Sequence, residues 1–331
     1  MNTRTLGATG PTVSAIGLGL MGMSDLYGPA DRTESIATIN AALDAGVSLL
    51  DTGDWYGHGA NERLLRDALA GRDRNSVVIS VKFGVLRDPS GAVIGLDNRP
   101  VAVKNFLAYT LERLGVDHVD IYRPSRLDPA VPIEETIGAM AELVKAGFVR
   151  HIGLSEVGAD TLRRAHAVHP ICDVQIEYSL VSRGVEDALL PAARDLGVGI
   201  TAYGVLSRGL ISGHWTGDRA GQPDFRSHLP RFSGENLDRN LALVEALRQI
   251  ADAKGVTVAQ LAIAWVLSRG ADIVPLVGAR RRDRLAEALA ALDVTLAEPD
   301  VAAMEAAMPA DAVAGTRYDV QQMSILDSER R

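Results

Sequence analysis

Eight times along this chain a short apolar run rich in Val and Ile is followed by a longer segment of helical period, and this alternation limits the fold more than any other feature. Short runs of this kind read as buried parallel strands, each returned to the sheet by a helix. The runs lie at residues 16–20, 48–51, 77–82, 119–122, 151–154, 173–176, 199–203 and 273–276, after a short hairpin over residues 4–12 that turns at 8–11. Helix signals fall where they are needed. Asp31 and Glu34 have capping-box spacing and open a helix over residues 32–45 that Gly46 ends. Leu107, Leu111 and Leu114 share one face of a helix stopped by Gly115, and Ile133, Ile137, Met140, Ala141 and Val144 share that of the next, stopped by Gly147.

No composition shift or linker divides these units, so the 331 residues suit one domain. The expected class is α/β: a closed (β/α)8 TIM barrel with a short N-terminal β-hairpin and C-terminal rim loops. Three segments read as loops over that rim, where such barrels keep their sites: residues 85–97, residues 207–235, and the tail beyond Pro309.

Composition removes several function classes. With 47% hydrophobic and 23% charged residues the chain can bury a core, and a net charge of −8 would repel a phosphate backbone, so no nucleic-acid partner is expected. Cys172 is the only cysteine, which excludes an intrachain disulfide, a multi-cysteine zinc site and a CxxC pair and fits a cytoplasmic location. The start MNTRTLGATG lacks the apolar stretch of a secretory signal, and the longest apolar run, residues 261–267, is too short to cross a bilayer. No membrane association is expected, and the oligomeric state has no signature.

Two motifs attract attention and read better as structure. Gly17, Gly19 and Gly22 match GxGxxG after a strand, yet Gly28 and Pro29 intervene before the helix cap at Asp31, so no helix N-terminus stands ready for a pyrophosphate. Asp51, Asp54, His58 and Glu62 resemble a metal cluster, but Glu62 falls in the next helix, His58 in a Gly-flanked loop, and no strand end supplies a histidine pair; no metal is expected. Cys172 reads as a small buried hydrophobe rather than a nucleophile.

Chemistry is indicated elsewhere. Asp51 and Lys82 each close an apolar strand, where packing gives no reason for a charge, and Tyr56 follows Asp51 by five positions. Together they form an acid system in which Lys82 lowers the phenol's pKa from about 10 and Asp51 keeps Lys82 charged and oriented. The alternative is a structural Asp–Lys ion pair. Arg280, Arg281, Arg282 and Arg284 follow the eighth strand beside Gly278, either as a solvated helix face or as a phosphate grip, since the last barrel loops often bind phosphate.

The segments LLDTGDWYGHGANE (49–62), SVKFG (80–84), VDIYRPSRLDP (119–129), VRHIGLSE (149–156), QIEYSLVSR (175–183), AYGVLSRGLISG (202–213), QLAIAWVL (260–267) and VPLVGARRRDRLAEAL (274–289) resemble, in order and spacing, the aldo-keto reductases. The resemblance implies an eight-stranded barrel that uses NADP(H) to reduce aldehydes and ketones without a metal. By motif position it makes Tyr56 the proton donor, Lys82 and Asp51 its partners, Ser155, Glu156 and Gln175 the ligands of the nicotinamide carboxamide, and Tyr203 the ring stacked on the nicotinamide. Many members have Asn where Glu156 stands. The segment from Gly204 through Leu206 and Arg208 would cradle the pyrophosphate, while Gly278, Arg280 and Arg284 would hold the 2′-phosphate and Glu287 the adenine, with Ala288 where many members place an Asn.

One departure bears on catalysis. Many members read DLYxxHRxD, and this chain has Ser125 at the histidine, a shorter hydroxyl donor that cannot take a positive charge. Three outcomes follow: Tyr56 protonates the carbonyl with Ser125 or a water filling the gap, the smaller residue admits a bulkier substrate, or the chain retains cofactor binding as a weakly catalytic NADP(H)-binding redox sensor. The expected partner is a small-molecule carbonyl substrate, whose identity the rim loops do not disclose.

Overall fold

The inward-facing positions of the strands explain how this chain closes into a barrel and where its site lies. The computed structural model describes residues 1–24, 26–215 and 224–330. The barrel strands are β3 (Gly17–Gly19), β4 (Leu49–Gly53), β5 (Val78–Phe83), β8 (Val119–Pro124), β9 (Val149–Ser155), β10 (Ile171–Glu177), β11 (Gly199–Tyr203) and β12 (Ile273–Gly278). Each pairs in parallel with the next, and β12 returns to β3 through Leu276–Gly17, Val277–Leu18 and Gly278–Gly19. The eight-stranded closure is the one the alternation predicts.

Outward positions such as Leu50, Ile79, Val81, Ile152, Leu154, Val174, Ile176 and Ile200 are buried in the layer shared with the helices. Inward positions change along the strands. Near the N-terminal end they are apolar, and Leu49, Ile121, Cys172 and Val274 pack with Leu6 and Val13 of the N-terminal hairpin, β1 (Thr3–Thr5) and β2 (Thr12–Ser14), which plugs that end. Further along, the inward residues are Asp51, Ser80, Lys82, Arg123, Asp173, Gln175 and Thr201, all buried. An inward β-carbon at Gly17 would lie 2.9 Å from Leu49 Cδ2, so this glycine serves close packing inside the barrel.

The helices obey their caps. The Asp31 side chain accepts from the Glu34 N–H at 2.7 Å and opens α1 (Arg32–Asp44). After α2 (Ala60–Ala68), α3 (Pro100–Leu114) ends on Gly115 at φ +66°, a left-handed cap that a β-carbon would strain. Next come α4 (Ile133–Lys145), α5 (Ala159–Val168) and α6 (Leu189–Asp195). The helices α7 (Gly234–Ala253) and α8 (Val258–Ser268) lie between β11 and β12, and α9 (Arg282–Leu289), α10 (Glu298–Ala307) and α11 (Val320–Ser324) follow. Among the described residues no single helix is long and apolar enough to cross a membrane; α7 and α8 reach that length only across an 87° break.

The rim departs from the sequence reading in one place. Residues 85–97, expected as a plain loop, form an antiparallel hairpin of β6 (Val85–Arg87) and β7 (Val93–Leu96). Asp88 makes its turn by accepting from the N–H groups of Ser90 and Ala92 at 2.9 and 3.0 Å. Of the expected loop over residues 207–235, positions 216–223 lie outside the described residues.

Candidate active site

Asp51 of β4 and Lys82 of β5 form a buried ion pair at the C-terminal end of the barrel: parallel pairing sets Asp51 level with Ser80, and Lys82, two positions further on the same inward face, reaches back to the carboxylate. Asp51 Oδ2 also accepts from Ser80 Oγ at 2.8 Å and from Gln175 Nε2 at 2.7 Å. Gln175, expected at a cofactor's carboxamide, therefore also braces the carboxylate. Burial pulls the Lys82 ammonium below its ordinary range, and the Asp51 charge opposes this.

Tyr56 sits in the turn after β4, buried, with Lys82 Nζ 5.2 Å from its ring centroid. Burial pushes the phenol well above its ordinary pKa and the Asp51 charge adds to this; Arg126 pulls it down. The sequence reading assigns that lowering to Lys82. Asp51 balances the Lys82 charge, and Arg126 is a further cation acting on the phenol.

Ser125 follows β8 and is buried, with its N–H donating to Phe83 O at 2.8 Å. Its Oγ accepts from Trp55 Nε1 at 3.0 Å, which leaves the hydroxyl proton available for another acceptor. The Trp55 and Tyr56 rings stand edge to face at 4.6 Å, so Trp55 links Ser125 to the Tyr56 ring. His118 lies at the other end of β8 and pairs with Asp117.

Ser155 ends β9 and Glu156 follows it. Glu156 is fully buried at φ +55°, a left-handed conformation rare for a side chain of this kind. Its carboxylate accepts from Arg317 NH1 and NH2 at 2.8 and 2.6 Å, from Ser328 Oγ at 2.6 Å and from Tyr203 Oη at 2.6 Å. Arg317 and its neighbours hold Glu156 far below the usual carboxylate range against its burial. The tail beyond Pro309, read as a lid, thus folds onto the rim and docks through a buried bidentate pair. Tyr318 follows, its Oη 3.0 Å from that of Tyr203. Below them Glu177 pairs with Arg208 at 3.0 Å and Arg231 at 3.3 Å.

The segment expected to cradle a pyrophosphate has an unusual backbone. Ser207, Arg208 and Gly209 have φ of +45°, +56° and +97°, and two of these are not glycine. Consecutive left-handed residues are strained and persist where the surroundings over-determine them; the Ser207 and Gly209 N–H groups close the turn on Gly204 O and Leu206 O at 2.6 and 2.9 Å. Ser207 Oγ and Arg208 NH1 are buried with no partner among the described residues. Open donors at a strained turn fit an anionic group there.

The arginine run divides. Arg281 pairs with Asp283 and Arg282 with Glu34 on the exposed face, as a solvated helix would. Arg280 donates to the carbonyls of Gly28 and Pro29 at 3.0 and 3.2 Å, and Arg284 NH1 lies 2.9 Å from Glu287 Oε2 and 2.5 Å from His214 Nε2. Arg284 and Glu287 are thus brought together, beside a histidine that sequence reasoning had not placed. Gly278 ends β12 at the same rim.

The motifs set aside are spread over several elements. Gly17 and Gly19 lie in β3, Gly22 in a 3-10 turn, and the next α-helix starts only at Arg32. Glu62 of α2 pairs with Arg113, His58 is exposed, and no group of three His, Cys, Asp or Glu side chains could hold a metal among the described residues. Asp54 is buried without a side-chain partner and its carboxyl is pushed up to about 8 by burial, the Glu62 charge adding to this. Cys172 is buried, which pushes its thiol up.

Sequence reasoning missed Trp55, Arg123, Arg126, Asp173, Glu177, Arg231, Arg317 and Tyr318. Arg123 bridges Ser80 Oγ at 3.1 Å and Asp173 Oδ2 at 3.0 Å inside the barrel. A period-two signal was available for part of this set: polar residues recur on the inward parity at 123 and 125, and at 173, 175 and 177.

Comparison with known proteins settles the family. The aldo/keto reductase family model matches residues 15–309. This chain belongs to the aldo/keto reductase family. It is 40% identical over 314 residues, 95% of its length and 90% of the relative's, to a probable aldo-keto reductase 1 of Glycine max. Among solved structures it resembles a glycerol dehydrogenase from Gluconobacter oxydans, with TM-score 0.83 and 26% identity over 93% of this chain and 96% of that one. The holo form of an aldo-keto reductase from Bacillus halodurans gives TM-score 0.78 and 26% identity over 94% and 97% of the two chains. An aldo-keto reductase is an oxidoreductase that uses a nicotinamide cofactor.

Proposed function

We propose that this aldo-keto reductase reduces aldehydes or ketones to alcohols with NADPH, Tyr56 donating the proton. The observation that carries the reading is the convergence of Tyr56, Lys82 and Asp51 at the C-terminal end of the barrel. A bound nicotinamide supplies hydride from its C4 to the carbonyl carbon. A phenol raised by burial keeps its proton at neutral pH, so Tyr56 begins as the acid. As the proton leaves for the carbonyl oxygen, Lys82 and Arg126 stabilise the phenolate, and Ser80 and Gln175 hold Asp51 against Lys82. Ser125, with its proton unclaimed by Trp55, donates to the same carbonyl oxygen in place of an imidazole.

The chain's donors suit the dinucleotide. Gly204, Leu206 and Arg208 would hold the pyrophosphate, with the open side-chain donors of Ser207 and Arg208 toward it, and Ser155 and Gln175 would hold the carboxamide, while Glu156 fixes the Tyr203 hydroxyl and so the ring that would face the nicotinamide. Gly278, Arg280 and Arg284 would hold the 2′-phosphate and Glu287 the adenine side. Two guanidiniums against a phosphate favour NADPH over NADH. The reading includes one barrel domain, a cytoplasmic location, a small-molecule partner, and no nucleic-acid or membrane partner.

The test is Tyr56→Phe. It removes one hydroxyl, so turnover falls by at least about a hundredfold while NADPH binding, followed by fluorescence, stays within about twofold. An unchanged rate refutes the assignment. A second reading, a weakly catalytic NADP(H)-binding redox sensor, draws support from Ser125 and from the tail seated on Glu156.

A further inference from the structure

The Tyr203–Tyr318 pair is surrounded by more positive than negative charge. Arg126, Arg208 and Arg317 lie 6.0, 4.4 and 5.6 Å from the Tyr318 ring centroid, and Arg231 joins Arg208 on Glu177. Four guanidiniums thus face three carboxylates, the buried Glu156 and Glu177 and the more exposed Glu329 on Arg317. Arg208 and Arg231 pair with Glu177, and Arg317 pairs with Glu156, with Glu177 at 3.7 Å and with Glu329 at 2.8 Å. Arg126 differs. Its acceptors are neutral, Ser125 O at 2.6 Å and Tyr318 Oη at 3.5 Å, and among the described residues it makes no ion pair.

Position distinguishes it as well. Arg231 is 7% exposed and ties down Val181 O at 2.8 Å and Ser182 Oγ at 2.9 Å, as a structural guanidinium does. Arg126 is half-buried and follows Ser125, which is bonded to Trp55 beside Tyr56. Glu156 acts on Arg126 from a distance, but no carboxylate touches its guanidinium among the described residues, so its donors hold only neutral oxygens and suit an anion beside them. Arg208, with its open NH1 in the pyrophosphate turn, faces the dinucleotide's charge, which leaves Arg126 for the substrate.

We propose that Arg126 anchors an anionic group of the substrate, so that the carbonyl compounds this enzyme prefers carry a carboxylate. The inference rests on the reductase reading above and deepens it by naming the substrate class. The geometry agrees with the electrostatics: the Arg126 charge pulls down both the Tyr56 phenol and the Lys82 ammonium, which places it close to the acid system. A carboxylate on Arg126 would therefore hold its own carbonyl beside the proton donor.

The experiment compares phenylglyoxylate and 4-carboxybenzaldehyde with their methyl esters, using NADPH and the full chain. The wild type prefers at least one acid over its ester in kcat/KM by about 30-fold or more, the scale expected for a desolvated charge pair. In Arg126→Gln that ratio falls toward one, and in Arg126→Lys, which keeps the charge and loses the fork, part of it returns. The ester rate falls too, because the same charge acts on Tyr56, so the ratio is the readout. A wild-type ratio near one, or a ratio that survives Arg126→Gln, overturns the inference and leaves the reductase standing.

If no compound is turned over, the reductase reading fails and the anion site is decided by calorimetry with benzoate and methyl benzoate on the NADPH-mixed chain. Benzoate binding weakened tenfold or more in Arg126→Gln supports the site. Absent or unchanged benzoate binding overturns it.

Discussion

Replacing Lys82 with Met would leave Asp51 buried without its cation. Breaking a buried pair from one side typically costs about 3–5 kcal/mol, since the remaining charge keeps its desolvation penalty. Asp51 would retain the Ser80 hydroxyl at 2.8 Å and the Gln175 amide at 2.7 Å, so the lower end, about 3 kcal/mol, is expected. Asp51→Asn together with Lys82→Met removes the stranded charge and should recover most of that loss. The assay is equilibrium urea unfolding, with NADPH consumption measured on the same preparations. Turnover should be lost in both variants, because stability returns while the acid system does not. A loss under about 1 kcal/mol in the single variant, or a double variant no more stable than it, would refute the energetic reasoning. Recovered turnover in the double variant would make the pair structural only.

Two further outcomes are expected. Arg284→Ala should raise the Kd for NADPH at least about tenfold more than that for NADH, and equal effects would remove the 2′-phosphate role. Asp54 has a folded pKa of about 8 against a reference of 3.8, so it binds its proton more tightly in the native state. Its contribution is fully present below about pH 4 and is lost as pH rises through about 8. Asp54→Asn should therefore gain stability relative to the wild type across that window; parallel pH–stability curves for the two proteins would contradict this.

The barrel was legible because outward strand positions are apolar and the helices end on recognisable caps; Asp31 and Gly115 act as their residue types dictate. The hairpin over residues 85–97 was not, since each of its strands has only two or three apolar residues around a polar turn. Within the site, Asp51 and Lys82 stood out as charges closing apolar runs. The contact of Arg317 with Glu156 joins residues 161 apart, and no local period connects them. The tail could be marked as a lid; which of its side chains docks depends on tertiary geometry alone. Arg126 was hidden for another reason: Arg is common beside a strand end, and only its neutral acceptors distinguish it from the paired arginines around it.

The central claim is that hydride reaches a carbonyl carbon in this barrel while Tyr56 supplies the proton. The most direct measurement incubates the protein with NADPH deuterated at the transferred C4 position and an aldehyde, then reads the alcohol by mass spectrometry. One deuterium on the former carbonyl carbon is predicted, with little product from Tyr56→Phe. NADPH bound by fluorescence with no deuterium transferred to any carbonyl tried would contradict the account and place the redox-sensor reading first.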